Sequence, residues 1–260
     1  MSDLIKEFVL ERNQRIQNFG KDQSFKTQSM NWIEESMRKS YVYNFSWMGR
    51  PIIQYPQDMV AMQEIIWEVK PDLIIETGIA HGGSLIMSAS FLAMLDYCDA
   101  IESGEVLDPK KPKRRVLGID IDIREHNRKA IEAHSMANRI DMIQGSSIAA
   151  ETIQQVKDYA KDYKRILISL DSNHTHEHVL AELEAYAPLT SKGSYCVVFD
   201  TFVQDVPADV FTNRPWEPGN NPKTAVWEYL KTHPEFEIDK SIENKLLITV
   251  APDGYLKRVG

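Results

Sequence analysis

The stretch Asp72-Leu-Ile-Ile-Glu76-Thr-Gly78-Ile-Ala80-His81-Gly82-Gly83-Ser84 decides the fold. A short apolar run ends in an acid and a glycine-rich turn, and residues 85–95 then continue apolar at helical length. Strand, glycine turn and helix form a junction that lets a ligand approach backbone closely and meet a helix N-terminus. A strict dinucleotide fingerprint needs GxGxxG, whereas this chain offers Gly78, Ala80 and Gly83, so the NAD pattern is broken. Acidic-x-Gly-x-small-x-Gly is the looser shape used by enzymes of S-adenosylmethionine (SAM). On its own the turn carries little weight, because any strand–turn–helix junction favours glycine.

Outward from this stretch the same alternation recurs. Apolar runs at 72–75, 115–119, 140–143, 165–170 and 195–199 are separated by helix-length segments. The runs are nearly continuous in apolar character, as expected for strands covered on both faces. Such alternation predicts right-handed βαβ units and an α/β, doubly wound, mostly parallel sheet of the Rossmann-like type. Runs at 235–239 and 245–250, read as a closing hairpin, bring the strand count to seven. Before the sheet, residues 3–19 and 24–40 read as charged helices, 41–55 as an irregular aromatic segment, and 56–69 as an amphipathic helix. The expected organisation is an N-terminal helical cap or assembly segment, 1–70, and a catalytic domain, 71–260.

Composition narrows the function. With 38 acids against 30 bases in 260 residues, the net charge of −8 repels phosphate backbones and argues against nucleic acid as the main partner. Cys98 and Cys196 sit inside apolar runs and read as buried thiols, not a disulfide framework. The first residues lack a signal-peptide core, and the apolar run 85–95 is too short to span a bilayer. No membrane span and a cytoplasmic location are therefore expected. The basic run 110–115 reads as a solvated connection, and the two charged N-terminal helices suggest a homo-oligomer.

In open α/β sheets ligands sit outside the carboxyl ends of the strands, so those ends carry the chemistry. The first presents Glu76, Gly78, Ala80, His81, Gly82, Gly83 and Ser84. The second presents Asp120 and Ile121; Asp120 suits the ribose hydroxyls, while Asp122 suits a helix cap. The third presents Gly145, Ser146 and Ser147, which fit an adenine edge or an N-cap. Glycine turn, acid and Gly-Ser in that order make a nucleoside cofactor the expected ligand.

The fourth end, Asp171-Ser-Asn-His174-Thr-His176-Glu-His178, and the fifth, Phe199-Asp200, each offer an aspartate. Asp171 and Asp200 on adjacent strands would form a hard-oxygen site for Mg²⁺ or another divalent ion, since two uncompensated carboxylates repel. His174 is placed to act as general base on a substrate hydroxyl. The alternative makes Asp171 and Asn173 caps and Asp200 a loop residue. Three histidines in five residues fit neither HExxH nor a His-x-Asp/Glu iron triad in its usual form. In the loop 211–223, Arg214, Trp216 and Lys223 are candidate substrate contacts, unless this is a plain surface loop.

Several of these segments together resemble one family. Trp47-Met-Gly-Arg-Pro51, residues 65–84, residues 171–178 and Pro218-Gly-Asn-Asn-Pro-Lys-Thr224 resemble, in order, the cephalosporin hydroxylase family across roughly residues 45–260. Despite that name, the resemblance implies a SAM-dependent O-methyltransferase acting with Mg²⁺, often alongside sugar or surface-polysaccharide pathways. It implies that the turn 78–84 holds the methionine part of SAM, that Asp120 holds its ribose, and that Asp171 and Asp200 are metal ligands. One departure stands out: Phe199 precedes Asp200 where the antibiotic-pathway member carries an acid, which leaves the third ligand open. The expected function is methylation of a hydroxyl on a sugar, glycan or glycosylated natural product. Hydroxylation, or a SAM-binding accessory role without catalysis, are the alternatives.

Overall fold

The computed structural model describes residues 3–260 and begins with helices α1 (Asp3–Lys21) and α2 (Gln23–Arg38). Asp22 separates them because its carboxylate accepts from Phe25 N at 3.0 Å and caps α2. The segment expected to be irregular holds a small antiparallel hairpin, β1 (Phe45–Trp47) and β2 (Arg50–Ile52). Its turn residues Met48 and Gly49 have φ of +45° and +85°, the paired left-handed geometry that matches the twist of two-residue hairpins. Helix α3 (Pro56–Val69) follows, with proline at its first position, where no N–H is missed.

The main sheet then alternates as expected: β3 (Leu73–Thr77), α4 (Gly83–Ser103), β4 (Arg115–Asp120), α5 (Glu125–Glu132), β5 (Ile140–Gln144), α6 (Ala150–Ala160), β6 (Ile166–Leu170), α7 (His176–Tyr186) and β7 (Tyr195–Val198). After these come α8 (Pro222–Tyr229), β8 (Phe236–Ile238), α9 (Lys240–Leu246) and β9 (Tyr255–Arg258). The seven strands lie in the order β5-β4-β3-β6-β7-β9-β8; the first five are parallel, and β9 runs antiparallel to both its neighbours. Strand order reverses between β3 and β6, which makes the cleft beyond their carboxyl ends the natural ligand site.

Side chains alternate across the sheet. Ile74, Val116 and Val197 face one core with Leu85 and Leu92 of α4, Met62 and Ile66 of α3, and Ile33 of α2. Leu73, Ile75 and Ile168 face the other, with Val156, Leu183 and Val226. The apolar faces of α2 and α3 thus share a core with the sheet. Helix α4 runs past the 85–95 stretch to 21 residues, with mean hydropathy 1.3 over its most apolar window. It is long and apolar enough to cross a membrane, but half of that window is buried inside the fold, which accounts for its composition.

Two expectations change. Residues 245–250 are not a strand: they complete α9 and continue as a loop, and the closing strand is 255–258. The loop's apolar residues are buried without a ladder, because the Asp58 carboxylate takes Val250 N at 3.0 Å and the Thr249 hydroxyl. The basic run 110–115 is only partly solvated, since Arg114 is 5% exposed and paired with Asp96 and, at 2.6 Å, with Asp99.

Candidate active site

A cavity of about 430 Å³ opens beyond the carboxyl ends of β3 and β6. It is lined by Gly78, Ala80, His81, Gly83 and Ser84, by Asp171, His174 and Asp200, and by Arg214 and Trp216. A second cavity of about 520 Å³ lies by Tyr195, at the opposite end of β7 from Asp200, and contains none of these groups. Chemistry therefore points to the first.

Backbone conformation builds the glycine turn. Gly78, Ala80 and Gly82 have φ of +90°, +45° and +81°, and only the alanine of these three bears the left-handed strain. A Cβ on Gly78 would lie 2.1 Å from the Asp171 carbonyl oxygen, and one on Gly83 would lie 2.2 Å from that of Pro51. Asp120 sits beneath the turn: its Oδ2 accepts from Ile79 N at 2.8 Å and Ala80 N at 3.3 Å, and its Oδ1 accepts from Asp122 N at 3.0 Å. Arg50 of the hairpin donates to the His81 carbonyl at 3.0 Å and to Asn127 Oδ1 at 3.0 Å, while Asn127 donates to the Ala80 carbonyl at 2.9 Å. Neither Arg50 nor Asn127 was singled out from the sequence, although Arg50 stands inside the quoted Trp47-Met-Gly-Arg-Pro51 segment.

Glu76 is 3% exposed and accepts from the Ser84 hydroxyl. Burial pushes its carboxyl up to about 7, against the opposing pull of that hydrogen bond. The expected adenine-edge residues lie outside the cavity. Gly145 N donates to the Asp120 carbonyl at 2.9 Å, and Ser146 accepts from Ala149 N at 3.0 Å. The buried Ser147 hydroxyl meets His178 Nε2 at 3.0 Å. Ile121 is 70% exposed beside Asp120.

The two aspartates meet as the strand order requires. Asp171, His174 and Asp200 each offer a ligand atom, and these atoms lie within 4.8 Å of one another. His174 Nε2 is 3.1 Å from Asp200 Oδ2. Burial, followed by the charges of Asp200, Glu76, Glu182 and Asp58, holds the Asp171 carboxyl well above the usual carboxylate range. Asp200 is itself left-handed, at φ +56°. Neither Asp171 nor Asn173 is a helix cap: the cap position of α7 is Thr175, and Asn173 Oδ1 closes the turn before it by accepting from Thr175 N at 2.9 Å.

The other two histidines of the 171–178 segment turn away. His176 Nδ1 meets the Thr224 hydroxyl at 2.8 Å, and His178 joins Ser147, Ser172 and the buried Glu182. Among the described residues, the cluster that could hold a metal at this cavity contains one histidine, His174, and not the pair an iron triad needs. Trp216 stands edge-on to His174, with ring centroids 4.6 Å apart, and Arg214 lies 5.2 Å over the indole. Lys223 is placed elsewhere: the residue is 7% exposed, and its ammonium pairs with Asp205 at 2.6 Å and faces Trp227.

The donor chemistry fits both implied groups. Crowded carboxylates at one cavity suit a divalent ion, and an acidic wall beside a tight backbone turn suits a cationic nucleoside cofactor. The sequence profile described as Rhamnosyl O-methyltransferase/CmcI matches residues 39–259. The chain belongs to this family. A rhamnosyl O-methyltransferase of Mycobacterium leprae (strain TN) is 30% identical over 234 residues, covering 87% of this chain and 90% of that protein. Among solved structures, CmcI with Mg and SAM superposes with a TM-score of 0.53 at 18% identity, over 84% of this chain and 78% of that one. The apo structure of a TDP-rhamnose 3'-O-methyltransferase of calicheamicin biosynthesis gives 0.51 at 17% identity, over 90% and 94%. These structures share the fold of the Rhamnosyl O-methyltransferase/CmcI family member described here.

Proposed function

We propose that this chain is a SAM-dependent O-methyltransferase that methylates a hydroxyl of a sugar, with a rhamnose-like deoxyhexose on a glycan or glycosylated product as the acceptor class. The observation that carries the reading is one cavity holding a glycine turn, a carboxylate pair with an imidazole, and an aromatic wall. The family and its sugar-methylating relatives support the acceptor class.

SAM, when bound, supplies an electrophilic methyl on a sulfonium. The turn 78–84 presents backbone to it, fixed from below by Asp120 and from the side by Arg50 and Asn127. Asp171 and Asp200 would hold a divalent ion, whose chemistry there is to orient a substrate hydroxyl and lower its pKa. The cluster of Asp171, His174 and Asp200 offers carboxylate and imidazole acceptors for the proton. Trp216 offers an apolar ring face and edge to a sugar, and Arg214 offers donors to its hydroxyls. Placement and deprotonation of the oxygen are the protein's work; in-line transfer then follows from proximity.

The test is incubation with SAM and a panel of rhamnosylated acceptors, read by mass spectrometry for one added methyl and by formation of S-adenosylhomocysteine. Transfer to a sugar hydroxyl that Asp171→Asn lowers at least about 100-fold supports the reading. Absence of SAM binding by calorimetry would sink it.

A further inference from the structure

The third protein group at the carboxylate pair is a nitrogen. His174 Nε2 and Asp200 Oδ2 are 3.1 Å apart, which matches two adjacent donors around one ion with bonds of about 2.1–2.2 Å. The strand tip supplies no further carboxylate, because Phe199 is 4% exposed and packed in the core. The imidazole side chain is 14% exposed and held edge-on by Trp216, so its nitrogen is fixed toward the pair.

A second, independent feature faces the same cavity. Gln54 lines it beside Asp171 and is 5% exposed, yet its amide Oε1 has no hydrogen-bond partner among the described residues. An orphaned buried acceptor is costly unless a cation or donor reaches it.

We propose that His174 is a protein ligand of the divalent ion with Asp171 and Asp200, and that this nitrogen-containing set favours a first-row transition ion such as Mn²⁺ over Mg²⁺. The proposal rests on the divalent-dependent reading above and specifies its site. Mg²⁺ takes oxygen donors and dehydrates reluctantly, whereas first-row transition ions accept imidazole nitrogen, Mn²⁺ the weakest binder among them. The assignment also takes Nε2 out of proton transfer, because one lone pair cannot bind an ion and accept a proton. Proton uptake then falls to the carboxylates.

The test uses the full chain, stripped by chelator and titrated with Mn²⁺ while free Mn²⁺ is followed by electron paramagnetic resonance; Mg²⁺ is then added as competitor. Mn²⁺ should bind at least about tenfold tighter than Mg²⁺, and bound Mn²⁺ should show nitrogen coupling in pulsed spectra. His174→Ala should remove the coupling and weaken Mn²⁺ by about 10–100-fold, with little change for Mg²⁺. His174→Gln, which keeps a polar donor, should also lose the coupling. SAM affinity, measured on each variant by calorimetry, checks that the turn stays folded. Equal binding of the two ions with no nitrogen coupling would overturn the His174 assignment and leave the divalent reading standing. Failure of the wild type to bind either ion while SAM still binds would overturn both.

Discussion

Gly78 and Asp171 touch through backbone alone: a Cβ at residue 78 would stand 2.1 Å from the Asp171 carbonyl oxygen. The cofactor turn and the carboxylate loop therefore cannot move independently. Gly78→Ala combines this clash with a φ of +90°, and should cost about 2–4 kcal/mol in stability while displacing the Asp171 loop. Chemical denaturation and turnover on the same preparation check this; an alanine variant with unchanged midpoint and turnover would remove the coupling.

Arg50 reaches from the β1–β2 hairpin to the His81 carbonyl and Asn127. Arg50→Lys keeps the charge but loses the fork that serves both partners at once. SAM affinity should fall about tenfold, corresponding to about 1.4 kcal/mol, with far-UV circular dichroism unchanged. Calorimetric titration with SAM measures it, and affinity equal to wild type would show that the turn holds without the hairpin.

Glu76 gives a pH dependence whose sign is fixed by its raised carboxyl. An unfolded glutamate titrates near 4.5, whereas the buried one titrates at about 7. Between these values the folded state keeps a proton that the unfolded state has released, so stability falls as pH rises through that window. Below about 4.5 both states are protonated, and above about 7 the penalty, on the order of 3 kcal/mol, is complete. Glu76→Gln should remove this fall, because Ser84 can still donate to an amide oxygen. Denaturant unfolding of ligand-free protein from about pH 5 to about pH 8 tests it, and a pH-independent difference between the two proteins would show that Glu76 does not titrate there.

Trp216 shapes the acceptor side of the cavity and braces His174. Trp216→Phe keeps an aromatic edge, whereas Trp216→Ala removes the wall. The alanine variant should raise KM for the sugar acceptor about tenfold or more and leave SAM affinity nearly unchanged. Steady-state kinetics with each substrate varied separately shows which; a loss confined to SAM would reassign the residue.

How far these features can be read in the sequence depends on how local they are. The turn 78–84 and the tips at Asp120, Asp171 and Asp200 are legible because strand, breaker and helix succeed one another within a few residues. That Asp171 and Asp200 would meet follows from one topological rule, the adjacency of consecutive parallel strands. Arg50 and Asn127 escaped because they act across 31 and 47 residues on carbonyl groups that no pattern marks. The closing strand was misplaced because residues 246–250 are as apolar as a strand, yet they bury as a loop anchored by Asp58. His174 shows the opposite limit: its residue type suggested a base, but its position beside Asp200 was needed to suggest a ligand.

The placement of β9 sets the order in which the molecule can be made. It enters the sheet between β7 and β8, after β8 has already been synthesised, and Gly254 approaches so closely that a Cβ there would lie 2.0 Å from the Val198 carbonyl. On the ribosome, β7 keeps one edge open until residues beyond Gly254 have emerged, and the buried Asp58, which takes the earlier Thr249 hydroxyl, gains its second hydroxyl partner only with Tyr255. The edge of the strand that leads to Asp200 is thus closed only by the last strand of the sheet. Protease nicking near Asp253 should extinguish methyl transfer and expose the β7 edge in the same event.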